Sequence, residues 1–322
     1  KNGYYLDLTS QPIMSKVIDG AKPAVTYNGK LYAVPMDFAG IGIIYNKDIF
    51  AKYKLKAPTT YLELQKVSKT LKDNGVTPFS GLLKENWSIG HFMEMLHSSM
   101  LGAKIGTAGL MKFVDQMNVG ETSFDKDVDM AALFKIMDWY KANMDPNAAE
   151  MAWDQQQAAY IKGQAAMMVQ GLWALPNAKD NPKLSSGFIP FPWSNKAAEN
   201  RFFADVDSTF VVSAQSSPEK QAAALKFVNW LAAPEAITIW TTDIQLTSTF
   251  KGADVKKMAV PFQELMASVN KAGSYPWVFS MMPSATWEQA IKNGAFGYIL
   301  GQLKPAQIVT DINASWKENY KK

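Results

Sequence analysis

Residues 159–173 read AYIKGQAAMMVQGLW. Within them Ala166–Val169 is an apolar run of strand length that closes on Gly171, with Trp173 just beyond. A short apolar run bounded by glycine and polar residues reads as a buried strand. Its tryptophan is left at an element end, where aromatic side chains are available for function. Outward from this stretch, comparable runs recur at Leu31–Val34, Ile41–Tyr45, Gly187–Phe191 and Thr209–Val212. Helical punctuation separates them. Thr60 and Glu63 have the spacing of a capping box ahead of Leu64, Val67 and Leu71, and Gly75 supplies a left-handed stop. Met130, Leu133, Phe134, Met137 and Tyr140 recur at helical spacing. Ser217-Pro218-Glu219 opens another helix, with Leu225, Val228 and Ala232 inward, and Pro305 starts a last one, with Val309, Ile312 and Trp316 inward. Strands alternating with helices predict an α/β fold. Gly40 and Gly42 inside an apolar strand mark a bend or a close backbone approach.

Composition bounds the function. With 322 residues, 48% of them hydrophobic, the chain is long enough for about two domains of ~100–200 residues. No run of ~18 apolar residues is present, so no segment reads as a membrane-spanning helix. Cysteine is absent, which excludes disulfides, thiolate nucleophiles and Cys-based zinc sites. The two histidines, His91 and His97, lack the i, i+4 spacing of a zinc helix; no metal and no cofactor are expected. A net charge of +4 with Arg201 as the sole arginine lacks the clustered basic face of a nucleic-acid binder. The opening Lys-Asn-Gly-Tyr-Tyr is not a secretory leader, so any export signal lies outside this sequence.

The order of segments carries a resemblance. Tyr27–Pro35 (YNGKLYAVP), Ile44–Phe50 (IYNKDIF), Pro58–Leu64 (PTTYLEL) and Gly75–Phe79 (GVTPF) are followed by Ala159–Gly171 with Leu172-Trp173, and then by Ser216–Leu231 with its Ala-x-x-Phe-Val-x-Trp-Leu core. Together they resemble family 1 extracellular solute-binding proteins, the maltose-binding-like sugar receptors of ABC importers. The resemblance implies a two-lobed, type II periplasmic-binding-protein-like α/β fold, with hinge strands and a ligand cleft between the lobes. It puts residues 1–40 and 206–272 in an N-lobe and residues 43–204 and 275–322 in a C-lobe, with crossings near Gly40–Gly42, Asp205–Asp207 and Gly273–Pro276. It also implies that two βαβ units, roughly 60–80 residues at ~30 each, come before the segment matching Tyr5–Thr9. The N-lobe is therefore expected to be incomplete and to expose sheet edges.

The implied function is extracytoplasmic capture of a carbohydrate, an oligosaccharide, and its delivery by hinge closure to the transmembrane subunits of an ABC importer. No catalysis is expected. The receptor would be a monomer, periplasmic or lipid-anchored at the cell surface. A sugar has an apolar C–H face and a hydroxyl rim, so its site needs flat aromatic platforms and a few carboxylates or amides. Trp139, Trp230, Trp240 and Trp316 sit in helical patterns and read as packing. Among the other six tryptophans, Trp173 and Trp287 match family platforms, Trp87 falls on the expected loop Lys84–Trp87, and Trp277 joins them, while Trp153 and Trp193 stay open between the two roles. Glu85, Asn86, Asp37 with Phe38, Asp205 and Asp207 are the polar and hinge-side candidates, since a carboxylate accepts strong hydroxyl hydrogen bonds. Met281 and Met282 read as core filling or cleft lining. Two other readings remain: the same fold binding a polyamine or peptide, and a glycoside-processing enzyme using Asp205 and Asp207 as its acid pair.

Overall fold

The computed structural model describes residues 2–175, 183–278 and 285–319. Its strands are β1 (Thr26–Tyr27), β2 (Lys30–Leu31), β3 (Val34–Pro35), β4 (Phe38–Asn46), β5 (Thr77–Phe79), β6 (Ala165–Gly171), β7 (Ser186–Ile189), β8 (Phe203–Val206) and β9 (Thr209–Phe210). The α-helices are α1 (Ile13–Lys16), α2 (Lys47–Lys52), α3 (Tyr61–Asp73), α4 (Asn86–Asn118), α5 (Met130–Ala142), α6 (Trp153–Ile161), α7 (Pro218–Trp230), α8 (Pro234–Thr238), α9 (Val260–Ala272), α10 (Ala285–Ile299) and α11 (Pro305–Asn319). The described chain divides into two compact units. One comprises residues 1–40 and 204–267, the other residues 41–203 and 268–322.

In the first unit β3 pairs antiparallel with β9, Val34 opposite Phe210. Leu8, Ile13, Val17, Val34, Met36, Val212, Val228 and Phe250 form its core. Ser217 caps α7 by accepting a hydrogen bond from the Lys220 backbone N–H, and Pro218 follows at the first helical turn.

The second unit is built on a sheet in which β5, β6, β4 and β7 run in that order. β4 is antiparallel to both β6 and β7, and β5 is parallel to β6. β6 is buried along its whole length, as an apolar run in a covered sheet should be. Thr60 and Glu63 form the reciprocal capping box of α3, whose Leu64, Val67 and Leu71 enter the core. The long α4 is interrupted at Gly106, where φ is 74°, a backbone conformation that glycine adopts without a side-chain clash. α4, α10 and α11 pack together, and Phe92, Leu96, Ile291, Ile308, Ile312 and Trp316 contribute to one continuous core.

Several local expectations shift. The run Leu31–Val34 divides into β2 and β3, and only Thr209–Phe210 of the run Thr209–Val212 pairs as strand. On α11 Ile312 and Trp316 face inward as the stripe predicts, whereas in the first turns the buried residue is Ile308 and Val309 is only partly buried. Trp230, read as packing, is 42% exposed. Its indole N–H donates to Glu235 at 3.0 Å, so the ring rests on the surface of α7. Gly40 and Gly42 lie where neighbours come close. A methyl on Gly40 would stand 2.9 Å from Leu265 of α9, and one on Gly42 would overlap the Ile189 carbonyl oxygen of β7. The close-approach reading of these glycines thus has a direct cause in the packing around β4.

Candidate functional site

In the second unit the ends of β6, α4 and α6 and the loop that holds Trp277 bring their aromatic side chains together. Trp173 follows β6. Gly171, the last residue of β6, permits its position, because a methyl there would overlap the Trp173 ring. The indole therefore lies back across the strand end, half-buried. Trp87 stands in the first turn of α4, which corrects its expected place on a loop: the helix begins at Asn86, straight after Glu85, so the ring is held by regular structure. Trp153 is the first residue of α6. Trp277 is fixed by a hydrogen bond from its Nε1 to the Phe203 carbonyl at 3.0 Å.

The rings form a continuous ladder. Trp153 and Trp87 have centroids 5.5 Å apart, Trp87 and His91 5.6 Å, His91 and Trp173 6.3 Å, and Trp173 and Trp277 6.1 Å; Phe203 continues it at 6.1 Å from Trp277. These spacings and the mostly steep interplanar angles are those of edge-to-face aromatic packing. All four tryptophans and His91 are only partly buried, so the ladder keeps ring surface open while its members hold each other in place.

Glu85 orients the first rungs. Its Oε2 accepts from the Trp87 indole N–H at 2.6 Å and its Oε1 from the Trp153 backbone N–H at 3.0 Å. One carboxylate thus fixes two tryptophans, a task that its sequence position beside Trp87 suggested only as direct ligand contact. Asn86 donates from Nδ2 to Asn293 of α10 at 2.8 Å, tying the start of α4 to that helix. Trp287 lies in the first turn of α10; its side chain, together with Met281 and Met282, falls outside the described residues.

Beneath the ladder runs a buried amide network that sequence reasoning missed. Gln170 of β6 donates from Nε2 to Ser88 Oγ of α4 at 3.2 Å and to Gln156 Oε1 of α6 at 2.9 Å. Gln156 in turn donates to the Ser80 carbonyl at 3.3 Å, and Ser80 Oγ donates to the Gln156 carbonyl at 3.1 Å. Gln170 and Gln156 are 3% and 0% exposed, and buried amides of this kind specify geometry because each loses several hydrogen bonds if its neighbours move. The network joins the three elements that carry Trp173, Trp87 and Trp153. The only sequence signal for it was a glutamine inside an otherwise apolar strand.

The carboxylates of the first unit form a separate group. Asp37 is 1% exposed, and its carboxylate accepts from the Ser208 backbone N–H at 2.7 Å and from Ser208 Oγ at 3.4 Å. Burial raises its pKa, and the Ser208 bonds oppose that rise. The Asp207 N–H donates to the Asp37 carbonyl at 3.3 Å. Asp207 is pushed up to about 6, first by the protein around its carboxyl and then by the neighbouring Asp37 charge. Its side chain is nonetheless exposed, so solvent tempers the effect. Phe38 is positioned through its backbone, whose N–H donates to Thr247 Oγ1 at 2.7 Å and whose carbonyl accepts from the same hydroxyl at 2.5 Å. Asp205 lies on β8 and its carboxylate accepts from the adjacent Val206 N–H at 2.8 Å. Asp207 lies past the end of that strand, so the two residues offered as an acid pair do not sit together on one strand face.

The profile of the bacterial extracellular solute-binding protein family matches residues 1–238. The chain belongs to that family. Among relatives, the multiple sugar-binding protein of Streptococcus mutans is 25% identical over 238 residues, covering 74% of this chain and 56% of that protein. The maltotriose-binding protein of Pyrococcus abyssi is 25% identical over 234 residues, 72% of this chain and 47% of that protein. This family member thus spans about half the length of the curated relatives that it matches. Among solved structures, a chitin oligosaccharide binding protein superposes with a TM-score of 0.82 at 19% identity, covering 99% of this chain and 79% of that one. The solute-binding protein RafE in complex with raffinose gives a TM-score of 0.80 at 22% identity, over 99% and 81% of the two chains. The fold is that of the two-lobed solute-binding proteins.

Proposed function

We propose that this family member binds a carbohydrate of two or more sugar units on the aromatic ladder of its second unit and hands it to an ABC importer, without catalysing a reaction. The observation that carries the proposal is the row Trp153, Trp87, His91, Trp173 and Trp277, with ring spacings of 5.5–6.3 Å. Flat rings of this kind match the apolar faces of sugars, and several in a row suit a chain of sugars. The names of two relatives, the multiple sugar-binding protein and the maltotriose-binding protein, point in the same direction. Asp37 and Asp207 of the first unit, with Phe38 and Asp205 beside them, are the proposed hydroxyl acceptors, and Trp287 is proposed as a further platform on α10. The two compact units are taken as the N-lobe and C-lobe of the receptor, which works outside the cytoplasm as a monomer, periplasmic or held at the surface by a lipid anchor.

Isothermal titration with raffinose and maltotriose tests the reading. At least one should bind, and Trp173→Ala should weaken it tenfold or more, about 1.4 kcal/mol, with the circular dichroism unchanged. A Trp173→Ala protein that is folded and binds normally would remove the ladder from the site. Release of shorter sugars during the incubation would instead identify an enzyme.

A further inference from the structure

His91 occupies the middle of the ladder, and nothing in its sequence surroundings marks it. It lies on α4 four residues after Trp87, a spacing that places both on one helix face. Its ring stands edge-on to Trp87 at 65° and to Trp173 at 77°, bridging a rung from α4 to the rung after β6. The imidazole is held neutral. Burial lowers its pKa to about 4, the positive charge of Lys292 acts in the same sense, and Glu288 opposes both. Lys292 and Glu288 are the charged groups that face it from α10, and they pair with each other at 2.5 Å. Along α4 itself the next titratable group is Glu94, which burial pushes up to about 8, so that it too is protonated at neutral pH.

A neutral imidazole has one N–H and one bare nitrogen. Nδ1 of His91 is buried without a hydrogen-bond partner. Buried N–H groups without an acceptor are rare in folded proteins, whereas under-satisfied acceptors are less so. The bare nitrogen is therefore Nδ1, and Nε2 carries the proton. We propose that His91 is a specificity-determining residue of the ladder, donating from Nε2 to a hydroxyl oxygen of a sugar seated against Trp87 and Trp173. This assignment rests on the carbohydrate reading above. An indole face accepts any sugar with an apolar side, but a donor beside it penalises a sugar that lacks an oxygen at that point, because such a sugar would cover the donor without pairing it.

Two kinds of measurement test the assignment in the whole chain. The sequence holds only two histidines, so histidine-selective nitrogen NMR resolves His91, identified by the signal lost in His91→Gln. It should show the Nε2–H tautomer at neutral pH, no protonation until below about pH 5, and a shift of the Nε2–H resonance on adding raffinose or maltotriose. In titration calorimetry with the same sugars, His91→Gln, whose amide nitrogen reaches the place of Nε2, should keep affinity within about threefold. His91→Asn, which mimics Nδ1 instead, and His91→Phe should each lose at least tenfold. If the Phe variant fails to fold, the contrast between Gln and Asn decides. An Nδ1–H tautomer, a His91 that titrates near 6.5, or Asn binding as tightly as Gln would each overturn the assignment. Trp173→Ala run alongside separates the two levels. Loss of binding there with none in His91→Asn or His91→Phe overturns the role of His91 and leaves the ladder as the site, whereas a parent protein that binds neither sugar removes both.

Discussion

Gly171→Ala tests how the ladder is built. The residue ends β6 opposite Ile41 of β4, and its added methyl would overlap Cζ3, Cη2 and Cε3 of the Trp173 ring. The φ of Gly171 is not in the left-handed region, so the backbone itself tolerates alanine and the whole effect is steric. The indole must swing away. Forcing an extra carbon into packed surroundings costs ~1–3 kcal/mol, and a displaced Trp173 also gives up edge contacts with His91 and Trp277, each ~0.5–1.5 kcal/mol. We expect a destabilisation of about 2–4 kcal/mol in urea unfolding and at least a tenfold loss of sugar affinity. The decisive comparison is the same substitution in a Trp173→Ala background. With the ring gone the methyl has room, so Gly171→Ala should become nearly neutral there, and the cycle should give a coupling energy close to the whole single-variant cost, about 2–4 kcal/mol. Equal destabilisation in both backgrounds would refute the argument, since the glycine would then serve the strand and not the tryptophan.

Two further outcomes follow from buried polar groups. Gln170→Leu leaves the Gln156 oxygen and Ser88 hydroxyl without their partner and should lower stability by ~1–3 kcal/mol, with a loss of sugar affinity as well; unchanged affinity in the folded variant would show that the network does not position the ladder. Between its ordinary 4.5 and the raised value of about 8, Glu94 keeps a proton in the folded state that the unfolded chain has released, so stability falls as pH rises through that window. Glu94→Gln should remove this fall, at most ~1.4 kcal/mol per pH unit; melting temperatures from pH 5 to 8.5 that run parallel to those of the parent would refute it.

Local chemistry made much of this protein legible. The α3 capping box, the Ser217-Pro218 start of α7 and the apolar run of β6 were readable because each depends on residues close in sequence, whose spacing must match a helical or strand period. The tryptophans at element ends were readable as candidates for the same reason, and the ordered motifs carried the family. Tertiary structure decided what each candidate touches. Glu85 orients Trp87 and Trp153 because α6 arrives beside the start of α4, 68 residues further along the chain. Gln170 and His91 gain their partners only when β6, α4 and α6 converge, and Asp37 meets Ser208 across 171 residues. Periodicity reports which face of an element is apolar, but it has no access to which other element will meet that face. A hydrogen bond or ring contact between distant residues depends on that meeting, so the ladder and its supports are properties of the folded chain.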